Sequence, residues 1–100
     1  MPRFVVTYDL RQSAPKPHAK FLEFATEAGW ATWVRGGGKW HKLPNTTLEG
    51  QFDTIEDALA AFDTAVRLTE AELGVTKILE KIFIVSHETG RIRSNVKKPI

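Results

Sequence analysis

Phe4-Val5-Val6-Thr7-Tyr8-Asp9-Leu10 is the stretch on which the fold turns. It is rich in β-branched and aromatic residues and reads as a strand. It is apolar at alternate positions of both parities, so it belongs inside a sheet and not at the edge. Beyond it, Gln12 to Pro17 holds Ser13, Pro15 and Pro17, the chemistry of a loop leading into a helix. Phe21, Leu22, Phe24, Ala25 and Ala28 then recur at helical spacing, and Gly29 is a natural stop. Trp30 to Val34 reads as a second strand, broken by Gly36-Gly37-Gly38. Lys39 to Asn45 reads as polar and irregular. Thr46 to Phe52 alternates as a third strand, with Leu48, Gly50 and Phe52 on one face and Thr47, Glu49 and Gln51 on the other.

Thr54 is an N-cap with Asp57 three residues on. Ile55, Leu59, Phe62, Val66, Thr69 and Leu73 form a stripe on a second helix that Gly74 ends. Val75 to Val85 is the last strand of the set. The order is strand, helix, strand, strand, helix, strand. Split βαβ units with right-handed crossovers fold such a chain into an α+β ferredoxin-like plait. The expectation is a four-stranded antiparallel sheet, strands one and three central, both helices on one face. Residues 1–86 make this one domain. Residues 87–100 are a basic tail or add a short fifth strand through Arg91-Ile92-Arg93. The other sheet face is left bare, and a homodimer would cover it.

With 100 residues there is room for one domain. Cysteine is absent, which excludes a disulfide scaffold, a thiolate metal site and a cysteine nucleophile. No apolar run is long enough to span a membrane, and the start Met1-Pro2-Arg3-Phe4 has no signal-peptide pattern, so a cytoplasmic protein is expected. The net charge of +2 hides a division: residues 1–50 sum to +3, residues 51–86 to −4 and residues 87–100 to +3. Two basic ends about an acidic middle suit either a partner of opposite charge or plain solvated faces.

Asp9, at the end of a central strand, suits either a hard-cation ligand or a turn cap. Two-fold symmetry would pair two copies of it, and paired carboxylates bind a metal or share a proton. Arg35-Gly36-Gly37-Gly38-Lys39-Trp40-His41-Lys42 sets four potentially cationic side chains about an aromatic ring and a glycine run. Arg35, Lys39 and Lys42 suit phosphates, Trp40 suits base stacking, and His41 suits proton transfer or a merely polar role. The competing reading is a hairpin whose Trp40 packs on the domain's own surface. Trp30 and Trp33 fit packing in the sheet or a dimer interface. His18 and His87 have no HxxxH or HExxH neighbour, which argues against zinc. The acidic residues of the second helix fit a solvated outer face.

Tyr8-Asp9 closing the first strand, Gly29 closing the first helix and Thr46-Thr47-Leu48-Glu49-Gly50 together resemble the small CRISPR-associated adaptation proteins. The VapD ribonucleases and the GhoS antitoxin are relatives of that family. The resemblance spans about residues 3–86 and implies a plait and a homodimer. It places Asp9 at the family's metal-ligand position on the dimer axis, and Leu48-Glu49-Gly50 at its apolar-Glu-Gly step. Two departures stand out: the connection over residues 35–45 is long, and the usual basic pair after the first strand is reduced to Arg11.

The implied activity is that of a metal-dependent endoribonuclease of a defence or toxin–antitoxin system. Asp9 would hold Mg²⁺, Arg11, Arg35, Lys39 and Lys42 would position the backbone, and Trp40 would stack. The alternative is a non-catalytic module that binds RNA, DNA or a protein partner.

Overall fold

The computed structural model describes residues 2–100. Seven strands and two helices follow the order β1 (Arg3–Leu10), α1 (His18–Glu27), β2 (Trp30–Ala31), β3 (Trp33–Gly36), β4 (Lys39–Lys42), β5 (Thr47–Gln51), α2 (Ile55–Leu73), β6 (Leu79–His87) and β7 (Lys97–Pro99). The fold is α+β with two antiparallel sheets. The larger runs β2-β5-β1-β6, with β1 and β5 in its interior; the smaller runs β3-β4-β7.

β1 is central because every second residue is buried under the helices: Phe4, Val6 and Tyr8. Its antiparallel partners set Leu48 and Gly50 of β5, and Ile84 and Ile82 of β6, on that same face. Phe21 and Ala25 of α1 and Ala58, Phe62, Ala65 and Val66 of α2 close the core. Tyr8, Phe21 and Phe62 form a triangle of rings with centroids 5.0, 5.4 and 5.1 Å apart. Each such tilted pair adds about 0.5–1.5 kcal/mol beyond its buried area.

Gly50 is required by packing. A Cβ there would stand 2.6 Å from the Phe52 ring and 3.0 Å from the Gly29 carbonyl oxygen.

The second helix begins as its sequence says. The Thr54 side chain accepts from the Asp57 N–H, and Gly74 ends the helix in the left-handed region at φ 67°. Its buried stripe is rotated from the expected one. Ala58, Phe62, Ala65, Val66 and Thr69 face inward, while Ile55 and Leu59 are exposed. The alanines permit close approach of the helix, which long side chains at those positions would prevent. Thr69 is satisfied in place by donating to the Ala65 carbonyl at 2.7 Å.

The region between the two halves departs from expectation. Trp30–Val34 is not one strand: the chain bends at Thr32, and β2 and β3 enter different sheets. Lys39–Lys42 is not irregular; it is strand β4, paired with β3 through Gly36↔Lys39. Gly37 and Gly38 both have positive φ (56° and 76°), the pattern of a type I′ hairpin turn. The glycines therefore join two strands and do not merely end one. Thr46, expected within a strand, lies in the turn before β5 at φ 61°. The extra C-terminal strand exists but at Lys97–Pro99, not through Arg91-Ile92-Arg93, and it pairs with β4. His87, expected after the last strand, is the end of β6.

Candidate nucleic-acid interface

The sheet face away from the helices carries Arg3, Val5, Thr7 and Asp9 from β1. The strand pairings add Thr47, Glu49 and Gln51 from β5, and Lys81, Phe83, Val85 and His87 from β6. One end of this face is roofed and the other is bare. At the roofed end a groove of about 890 Å³ lies between Val5, Glu49, Val85 and His87 on one side and Trp33 and Trp40 on the other. Residues 88–92, between β6 and β7, form a further wall.

The small sheet presents one face that alternates aromatic rings and cations. Antiparallel pairing sets Trp33 beside Lys42, Arg35 beside Trp40, and Trp40 beside Lys98. The Lys98 ammonium stands 4.3 Å from the Trp33 ring centre and that of Lys42 stands 5.3 Å from it. The Arg35 guanidinium lies 5.7 Å from the Trp40 ring. Cations over ring faces hold the indoles in place and keep positive charge beside them.

The cluster read from residues 35–42 is divided by the strand period. Arg35, Trp40 and Lys42 share this face. Lys39 and His41 belong to the opposite one. There the His41 Nε2 contacts the Gly36 carbonyl oxygen at 2.9 Å, and its Nδ1 is buried without a partner. Lys39 is exposed beside the hairpin turn. Lys98, which belongs to the aromatic face, was hidden in sequence because β7 brings it there from far along the chain.

Asp9 is apart from these groups. It is exposed at the bare end of the open face, opposite Lys81. Six residue steps along β1 separate it from Arg3 at the groove, about 20 Å at 3.3 Å per step. No group of three or more potential metal ligands exists among the described residues. The Arg11 guanidinium donates to the Thr76 carbonyl, and its backbone N–H donates to that of Ile78 at 2.6 Å. Arg11 thus ties the end of β1 to the segment before β6. Tyr8, next to Asp9, points into the core, where burial pushes its phenol pKa above the ordinary range.

Sequence reading missed a contact inside the groove. His87 Nε2 lies 3.2 Å from a carboxylate oxygen of Glu49, with both side chains mostly buried (19% and 24% exposed). The ring nitrogen is close enough for an ion pair but is not aligned for a hydrogen bond. The residues are far apart in sequence and meet only through strand order, so no local pattern could announce them. Arg3 stands opposite His87 in register, and its guanidinium donates to the Glu88 carbonyl at 2.5 Å.

No helix among the described residues is long and apolar enough to cross a membrane. No family model, curated protein or solved structure matches the chain.

Proposed function

We propose that this chain is a nucleic-acid-binding homodimer built on a ferredoxin-like plait, resembling the small CRISPR-associated adaptation proteins. A single strand docks in the groove. The observation that carries the reading is the pair of tryptophans at the groove wall, each with a cation over its ring. Stacked aromatics and basic side chains are what a single strand needs, since every base has a π-face and every nucleotide a phosphate. Trp33 and Trp40 stack bases. Arg35, Lys42 and Lys98 neutralise phosphates. The strand order β2-β5-β1-β6, with the hairpin as an insertion, supports the plait.

Filter binding of single-stranded RNA and DNA over a salt series tests this. Affinity is expected to fall steeply with salt. Trp40→Ala is expected to cost about 1–3 kcal/mol, or roughly fivefold to 150-fold in affinity. Affinity for another protein that is indifferent to salt, with no nucleic acid bound, would sink the reading.

A second reading rests on the exposure of Asp9 at the bare end of the open face. Dimerisation through that end would bring the Asp9 of each copy together to hold Mg²⁺. The ion would supply an activated water for phosphodiester cleavage. Asp9 alone is too few ligands, so this site exists only in the dimer. Cleavage that requires Mg²⁺ and vanishes in a folded Asp9→Ala variant is the expected outcome.

A further inference from the structure

We propose that the groove itself is a ribonuclease site, with His87 as the base, Glu49 as its positioning residue and RNA as the substrate. The proposal rests on nucleic-acid binding in the groove. It is independent of Asp9, which stands at the other end of β1.

The geometry that carries it is the meeting of Glu49 and His87 across a central strand. Glu49 comes from β5 and His87 from β6, with β1 between them. Two strand spacings separate their backbones, about 10 Å. Both side chains lean over β1 to meet at 3.2 Å in the groove. The carboxylate stands beside Nε2 at ion-pair distance, and Nδ1 is the ring nitrogen left to face a ligand. Beside Nδ1 lies Gly90, where a built Cβ would stand 3.9 Å away. The absence of a side chain there keeps the approach to the ring open. Arg3 flanks the imidazole in register, and Arg35 and Arg91 also line the groove. A proton-transferring imidazole, a carboxylate that orients it and guanidinium groups for an anion therefore share one cavity.

RNA carries its own nucleophile, which is why a base and cations suffice. His87 Nδ1 takes the proton of a 2′-hydroxyl, and that oxygen bonds to the adjacent phosphorus. The bond from phosphorus to the 5′ oxygen breaks, and the leaving oxygen takes a proton from solvent, to which the groove is open. The products are a 2′,3′-cyclic phosphate and a 5′-hydroxyl, and His87 returns its proton to water. Arg3 and Arg91 offset charge on the non-bridging oxygens. DNA, lacking the 2′-hydroxyl, is bound and left intact.

The test uses end-labelled single-stranded RNA and DNA of matched sequence, in EDTA, with binding and cleavage measured on the same samples. RNA cleavage with cyclic phosphate ends, and intact DNA, is expected. His87→Ala and His87→Gln, each checked for folding by thermal melting, are expected to lower the rate about 100-fold or more while RNA remains bound. Glu49→Gln is expected to lower kcat with KM unchanged, which a merely structural loss would not do. RNA that is bound but intact in EDTA overturns this proposal alone. So does unchanged cleavage in folded His87 variants, or equal cleavage of DNA. RNA that is not bound at all overturns the binding reading with it.

Discussion

Tyr8 shows how one residue can be legible in pattern and opaque in consequence. Its place in an alternating strand is plain from sequence, and its ring completes the aromatic triangle with Phe21 and Phe62. Its hydroxyl, however, is buried with no hydrogen-bond partner. That cost cannot be read from spacing, because it depends on which atoms the helices bring. Burial raises the phenol pKa, so the folded state holds this proton more tightly than the unfolded one. The associated stability is complete below the ordinary tyrosine value of about 10 and is lost as pH rises above it. Tyr8→Phe is expected to leave stability unchanged or raise it by about 1 kcal/mol at neutral pH. It is also expected to flatten the fall in melting temperature above about pH 10. Melts across pH for both forms check this. Asp9 and Arg11 follow the opposite course to Tyr8: their chemistry was legible, but their surroundings were not.

At the scale of elements, the bounds of β1, α1, β5 and α2 follow from the sequence to within a residue, although the buried face of α2 does not. The failures fall between Thr32 and Thr46 and after Val85, where strands are short and carry polar residues, and at residues 75–78, expected in the last strand but irregular, β6 starting only at Leu79. Lys39-Trp40-His41-Lys42 has too few apolar residues to look like a strand. It is one because Gly37 and Gly38 make the turn and because β7 pairs on its outer side. A pairing with a strand of three exposed residues leaves no hydrophobic signature. Two-stranded hairpins are marginal alone, so β7 is expected to hold β3 and β4 in order. Truncation after Asn95 is expected to speed amide exchange across residues 33–42 and to red-shift tryptophan emission as Lys98 leaves the Trp33 ring. Amides of the β1–β6 pairing are expected to keep their protection. Hydrogen exchange on the truncated chain reads both.

For the whole molecule, the charge is divided in space as well as along the chain. The basic segments at 35–42 and 97–98 come together in one small sheet, while many acidic side chains lie on α2. The dimer expected from a bare sheet face is narrowed by the same architecture, because the small sheet and residues 88–92 roof one end of that face. What remains exposed is the other end, where Phe83 is 65% accessible beside Thr7 and Asp9. Light scattering is expected to give twice the chain mass for the native protein, and one chain mass for Phe83→Glu. A native monomer would refute dimerisation through that end of the sheet. The arrangement also sets an order of assembly. Arg3 begins β1 yet pairs with His87 at the end of β6, so the main sheet closes only after the chain has been made through His87. The second sheet waits longer, for Lys97–Pro99, which are synthesised after every other strand. The core can therefore form before β7 is available, and the wall of the groove made by β3 and β4 gains its outer pairing only after the strands beneath it are in place.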